Sequence, residues 1–156
     1  CSSRALRSAR RLSFARVRCP EVAGTAVGGY SRGVTAPSDS APDPASVSLE
    51  GRVFGGVSNA STGQVGSATR FRYHEDGAVI WAEYDGGEIV RGYLVGTRDG
   101  ARLSFRYVHL ATDGATASGV CESTIRVLDD GRVRFEESWA WESRPETGTS
   151  VVEELA

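Results

Sequence analysis

The sequence predicts an all-β fold, an antiparallel eight-strand up-and-down meander closed into a small barrel, complete or gapped. Three observations predict it. Tight-turn punctuation recurs at Asp76-Gly77, Asp85-Gly86-Gly87, Asp99-Gly100, Asp113-Gly114 and Asp130-Gly131, and Asp-Gly and Gly-Gly supply the positive φ angles that hairpins demand. Between the turns run segments rich in β-branched and aromatic residues, the composition of half-buried strands. The connections are mostly two to four residues long, so sequential antiparallel pairing is the economical topology. Helical periodicity competes nowhere after Leu49.

Taken in order, residues 1–47 come first as a basic arm and linker. Residues 1–20 hold six Arg and no acid, and residues 21–47 continue in Gly, Ala, Ser, Pro and Thr. Neither part has the apolar content to pack. An unstructured extension is expected, upstream sequence whose true start lies near Val47; a transit peptide or a lipoprotein anchored through Cys1 are the alternatives. The barrel domain spans residues 48–156. Its strands are read at 49–57, 66–75, 78–84, 87–97, 101–110, 115–128, 132–143 and 148–155. The first two flank Ser58–Val65, a small polar stretch that predicts the widest loop. The third and fourth form a hairpin built on Val79, Ile80, Trp81, Tyr84, Ile89, Val90, Tyr93 and Val95. Its inner face stays open, because two-residue and three-residue turns at Asp85-Gly86-Gly87 bring opposite faces together. A meander of this length can remain an open sheet or fold as a sandwich, but closure alone removes both edges. Calycin and lipocalin-like barrels are the architectural analogy. With about eight strands the interior is filled by side chains or holds one small ligand.

Alternation shows what lines that interior. In residues 133–141 the odd positions are Val133, Phe135, Glu137, Trp139 and Trp141, and this face is inside. In residues 103–109 the inward set is Leu103, Phe105, Tyr107 and His109, and in 117–127 it includes Cys121 and Ser123. Tyr107, His109, Cys121, Glu137, Trp139 and Trp141 therefore form the candidate ligand-binding constellation. The tryptophans offer flat apolar walls, while Glu137 and His109 fix orientation. A carboxylate on an apolar face costs several kcal/mol unless it is paired or protonated, so Glu137 calls for Arg, His, Tyr or a ligand cation or hydroxyl. A satisfied buried network is the structural alternative.

Composition excludes several classes. The formal charge of −2 is divided: residues 1–45 carry seven Arg against three acids, and the rest 11 Arg against 17 acids. An acidic barrel has no electrostatic attraction to phosphate backbones, so no nucleic-acid partner is expected for it. No apolar run approaches the roughly 20 residues of a membrane-spanning helix. Cys1, Cys19 and Cys121 form no framework, and a reducing, cytoplasmic home is the simplest. His74 and His109 share no ligand spacing, so no metal is expected. No phosphate loop or dinucleotide fingerprint appears, and no cofactor is implied. Catalysis is left to a Cys121–His109 thiolate–imidazolium pair. The functions that remain are a small-molecule-binding barrel, an enzyme using the same pocket, and an interaction module. A cavity of about 300 Å³ or more would favour the first two.

The stretches Tyr84–Gly96, Phe105–His109, Gly119-Val120-Cys121, Glu137–Trp141 and Ser150–Glu154 together resemble a family of short bacterial proteins often labelled N-acetylglutamate synthase. The resemblance covers about Leu49 to Leu155 and implies a compact β domain, with acetyl transfer as the labelled activity. Acetyl-CoA chemistry in the usual fold needs a helix N-terminus and a glycine loop for the pyrophosphate. The nearest segment here is Gln64-Val65-Gly66-Ser67-Ala68, with its glycine one place early, so the resemblance carries over no catalytic residue.

Overall fold

The computed structural model describes residues 42–156; the expectations for the arm up to residue 41 lie outside them. Eight strands follow in order: β1 Val53–Asn59, β2 Arg70–Asp76, β3 Val79–Gly86, β4 Ile89–Asp99, β5 Arg102–Ala111, β6 Thr116–Val127, β7 Val133–Trp141 and β8 Thr147–Glu154. Each pairs antiparallel with the next, and β1 closes on β8. The barrel is closed, and all five punctuated turns join antiparallel neighbours, with Gly77, Gly87, Gly100, Gly114 and Gly131 at positive φ. The β1–β2 seam is the shortest ladder, paired only from Val53 to Gly55. Beyond it the chain leaves the wall as the predicted wide loop, residues 60–69.

Two strand starts differ from the sequence reading. β1 begins at Val53 because residues 49–52 make a turn, Arg52 N donating to Leu49 O at 3.2 Å, which drives the Leu49 side chain fully into the barrel. β2 begins at Arg70 because residues 66–69 also turn, with Thr69 N on Gly66 O at 3.0 Å and the buried Thr69 hydroxyl on Gly86 O at 3.2 Å.

The hairpin whose inner face was open is now defined. Ile80, Ala82 and Tyr84 point inward from β3, and Ile89 and Leu94 from β4, whereas Trp81, Tyr93 and Val95 lie outside. Its register shifts between Tyr84 and Gly86 and again between Ile89 and Arg91. Both come from one extra residue in β4 between Ile89 and Gly92, which reverses the inward parity along β4, from Ile89 to Leu94, while β3 alternates without a break.

The interior divides into two halves. One is sealed by apolar packing: Phe54 stacks on Phe135 at 4.4 Å and meets Tyr73 edge-on at 5.2 Å, beside buried Ile125, Val133 and Val152. The same end is strapped by Arg98. Its guanidinium meets Glu75 Oε1 at 2.5 Å and donates to the carbonyls of Pro44, Ala45 and Val47, while Glu75 Oε2 accepts from Leu49 N at 2.8 Å. Residues 44–47, which composition groups with the linker, are thus held against the barrel. The other half carries the polar residues.

Candidate functional site

The inner rows of β5 to β8 build the site, because pairing aligns their inward residues. Ser123, Glu137 and Ser150 face one another across β6, β7 and β8. One row further, Cys121 pairs with Trp139, and beyond that Gly119 pairs with Trp141 and Tyr107. All six predicted residues point inward, and five of them, Tyr107, His109, Glu137, Trp139 and Trp141, line one cavity with Tyr84, Asn59, Gln64 and Ser150. Cys121 lies beneath the lining. Its thiol is buried 3.7 Å from the Ser123 hydroxyl, and burial, with Glu137 adding to it, pushes its pKa well up. It makes no pair with His109, so the thiolate–imidazolium expectation is not realised: a desolvated thiol beside a carboxylate is a poor nucleophile.

Glu137 accepts hydrogen bonds from Ser150 Oγ at 2.6 Å and Ser123 Oγ at 3.2 Å. Burial raises its pKa and the two hydroxyls oppose the rise. No Arg or His forms an ion pair with it among the described residues. The partner expected from the sequence is therefore two serines rather than a cation.

His109 sits in a relay whose proton positions follow from the donors around it. Arg144 Nη2 donates to Gln64 Oε1 at 2.8 Å, which fixes that atom as oxygen, since guanidinium only donates. His109 Nε2, 3.0 Å from the same oxygen, then carries the proton, and Nδ1 accepts from Tyr84 Oη at 3.0 Å. The imidazole is neutral in this arrangement; burial and, secondarily, Arg144 hold its pKa below the ordinary value. Burial likewise keeps Tyr84 and Tyr107 protonated far into the alkaline range.

Aromatic rings complete the walls. Trp141 meets Tyr107, His109 and Trp139 edge-on at 5.5, 5.7 and 5.6 Å, and the Arg144 guanidinium lies 4.1 Å over Trp141. Two glycines make the fit possible: a Cβ at Gly92 would run into the Tyr84 ring, and one at Gly119 into Tyr107 Oη. Gly92→Ala should therefore destabilise the fold by about 1–3 kcal/mol through overpacking. It should also shift the His109 imidazole resonances, because Tyr84 must move; urea unfolding and NMR titration measure the two effects.

The loop of residues 60–69, with Asn59 at its root, closes the mouth. Trp139 Nε1 donates to Asn59 Oδ1 at 3.1 Å, Trp141 Nε1 to Thr62 O at 3.3 Å, and Gln64 reaches in to His109. With the loop down the remaining cavity is about 50 Å³. That falls short of the 300 Å³ or so expected for a ligand pocket, although the polar groups converge as anticipated. Sequence reasoning missed Asn59, Gln64, Tyr84, Ser150 and Arg144 as site residues, and placed Ser123 inward without giving it a role.

A closed eight-strand barrel with an aromatic, half-polar pocket at one end defines a small-molecule-binding β-barrel. The avidin-like protein family matches residues 47–155, and the chain belongs to that family, whose members are small-molecule-binding barrels. No curated protein and no solved structure matches the chain. Among the described residues no helix is long and apolar enough to cross a membrane.

Proposed function

We propose that the pocket binds a small molecule with a flat apolar body and a head rich in N–H donors, or cationic, aimed at Glu137. The observation that carries this reading is a buried carboxylate whose partners are two serine hydroxyls. Two neutral donors leave acceptor capacity on Glu137 and only partly offset its desolvation. A ligand N–H would use that capacity, while Trp139 and Trp141 cover the body and Tyr107 and His109 contact its flank. Entry requires the 60–69 loop to lift, because Gln64 occupies the mouth. Lifting it frees Trp141 Nε1 and His109 Nε2 as donors, so a ligand that presents acceptors near its tail regains the bonds the loop gives up.

The acetyltransferase alternative gains no support from the site. Gln64-Val65-Gly66-Ser67-Ala68 forms loop and turn, and Gln64 is engaged with His109 and Arg144.

Native mass spectrometry of protein purified from its own host tests the proposal, with biotin, the ligand class of the family, and benzamidine as added probes in thermal shift. A retained small molecule, or stabilisation by either probe that is lost in Trp139→Ala, is the expected result. Protein that carries no ligand and responds to neither probe would overturn it.

A further inference from the structure

Glu137 presents a ligand with free acceptor sites on both oxygens and with an unmatched charge. Each oxygen takes one hydroxyl donor, Oε1 from Ser123 on β6 and Oε2 from Ser150 on β8, the strands on either side of β7. An ionised carboxylate has about two acceptor sites per oxygen, so one remains on each. Two acceptors side by side on one planar group are the complement of a planar fork of two parallel N–H bonds. An ammonium is a compact point charge and does not match that fork.

Charge narrows the head further. The serines are neutral, and among the described residues no Arg or His bonds to Glu137. The basic side chains of the mouth are turned elsewhere: Arg144 donates to Gln64 Oε1 at 2.8 Å and lies over Trp141, and His109 directs Nε2 to the same oxygen. A neutral ligand therefore meets one of two mismatches. With Glu137 ionised, its charge stays desolvated and uncompensated. With Glu137 protonated, one acceptor has become a donor and the fork is lost. A cation removes both. The surroundings favour the same occupant, since Phe71, Tyr84, Phe105, Tyr107, Trp139 and Trp141 line the cavity with the carboxylate, and aromatic faces attract cations most strongly where water is excluded.

We infer that the head bound at Glu137 is a planar, delocalised monocation with two N–H bonds in a fork, an amidinium or guanidinium, and that the pocket discriminates against neutral ureas and against quaternary ammonium ions. The inference rests on the small-molecule reading of the pocket and adds the charge and shape of the head. Each disfavoured class keeps half of the match: a urea has the fork without the charge, and a quaternary ammonium the charge without the fork. Delocalisation contributes as well. A guanidinium is more weakly hydrated than an ammonium, so less hydration is lost when the 60–69 loop closes over it.

Isothermal titration of the full chain with benzamidine, phenylurea and benzyltrimethylammonium tests the inference. Benzamidine is expected to bind roughly 100-fold more tightly than either of the others, the scale set by leaving a buried charge unmatched. Glu137→Gln, which keeps one acceptor and removes the charge, should weaken benzamidine binding by a similar factor and change phenylurea binding by less than about tenfold. Ser123→Ala leaves the charge and withdraws a competing donor, so it should hold benzamidine at least as tightly as the parent does. Near-ultraviolet circular dichroism reports the fold of both variants. Phenylurea or benzyltrimethylammonium binding as tightly as benzamidine, or benzamidine binding that survives Glu137→Gln, would overturn the inference and leave the small-molecule reading intact. If none of the three binds, the inference falls; a response to biotin or a retained neutral molecule would then still keep that reading, whereas an empty, unresponsive protein would not.

Discussion

Arg98→Ala should destabilise the folded protein by about 3–5 kcal/mol, the usual cost of stripping one partner from a buried ion pair. The side chains of Arg98 and Glu75 are only 8% and 13% exposed. Removing the guanidinium leaves the Glu75 carboxylate in a protein environment with one main-chain donor, Leu49 N, and a weak contact at 3.4 Å from the Ser48 hydroxyl. It also unties the carbonyls of Pro44, Ala45 and Val47, so the strap across the sealed end loses its hold on Leu49. Arg98→Lys should recover only part of the loss, because an ammonium cannot serve Glu75 and three carbonyls from one plane. Urea unfolding with a common m-value measures both. A loss below about 1 kcal/mol for Arg98→Ala would show that the pair is solvated and the strap ornamental.

The strands were legible because turns and alternation agree along most of the chain. In β5, β6 and β7 no irregularity interrupts the register, so parity alone placed Tyr107, His109, Cys121, Glu137, Trp139 and Trp141 inside. Counting outward from the Asp130-Gly131 turn also puts Ser123 opposite Glu137, a signal present in the sequence and unused. Tyr84 was hidden for a physical reason: β3 carries apolar residues on both faces, Ile80 and Tyr84 inside and Val79 and Trp81 outside, and the extra residue in β4 denies the hairpin a common parity that would tell them apart. Ser150 lies on a strand entered from a loop without a defining turn, which leaves its register to long-range pairing. Gln64, Asn59 and Arg144 belong to the site only because the loop folds back over the mouth and Arg144 reaches across to it, and polar composition carries no direction. Arg98 and Glu75 continue the inward rows of β4 and β2, opposite buried Leu103 and Ile80, but lie at strand ends where charged residues read as solvated. Their burial depends on residues 44–49 crossing them.

The second large effect is on Glu137, and here the expected sign is opposite to that of Arg98. Burial raises the Glu137 pKa above its ordinary value of 4.5, so between that value and the higher folded one the folded state holds a proton that the unfolded state has lost. Stability must then fall as pH rises through this window, by linkage. Glu137→Gln keeps the shape, still accepts a hydroxyl hydrogen bond and removes the ionisation. The variant should match the parent below about pH 4 and exceed it at neutral pH, by about 1–3 kcal/mol for a desolvated carboxylate without a cation partner. His109 contributes the reverse slope: its lowered pKa means stability is lost as pH falls below the ordinary 6.5. The two slopes have opposite signs in the parent protein, that of Glu137 setting in above 4.5 and that of His109 below 6.5, and of the two only that of His109 remains in the variant. Denaturant melts from pH 4 to 8 on both proteins separate them. The same substitution should remove any retained or added ligand that Glu137 holds, so a variant more stable yet empty is the expected combination. A neutral-pH loss of 3 kcal/mol or more in Glu137→Gln would mean instead that the carboxylate is structural, locked by Ser123 and Ser150 and closed to a ligand.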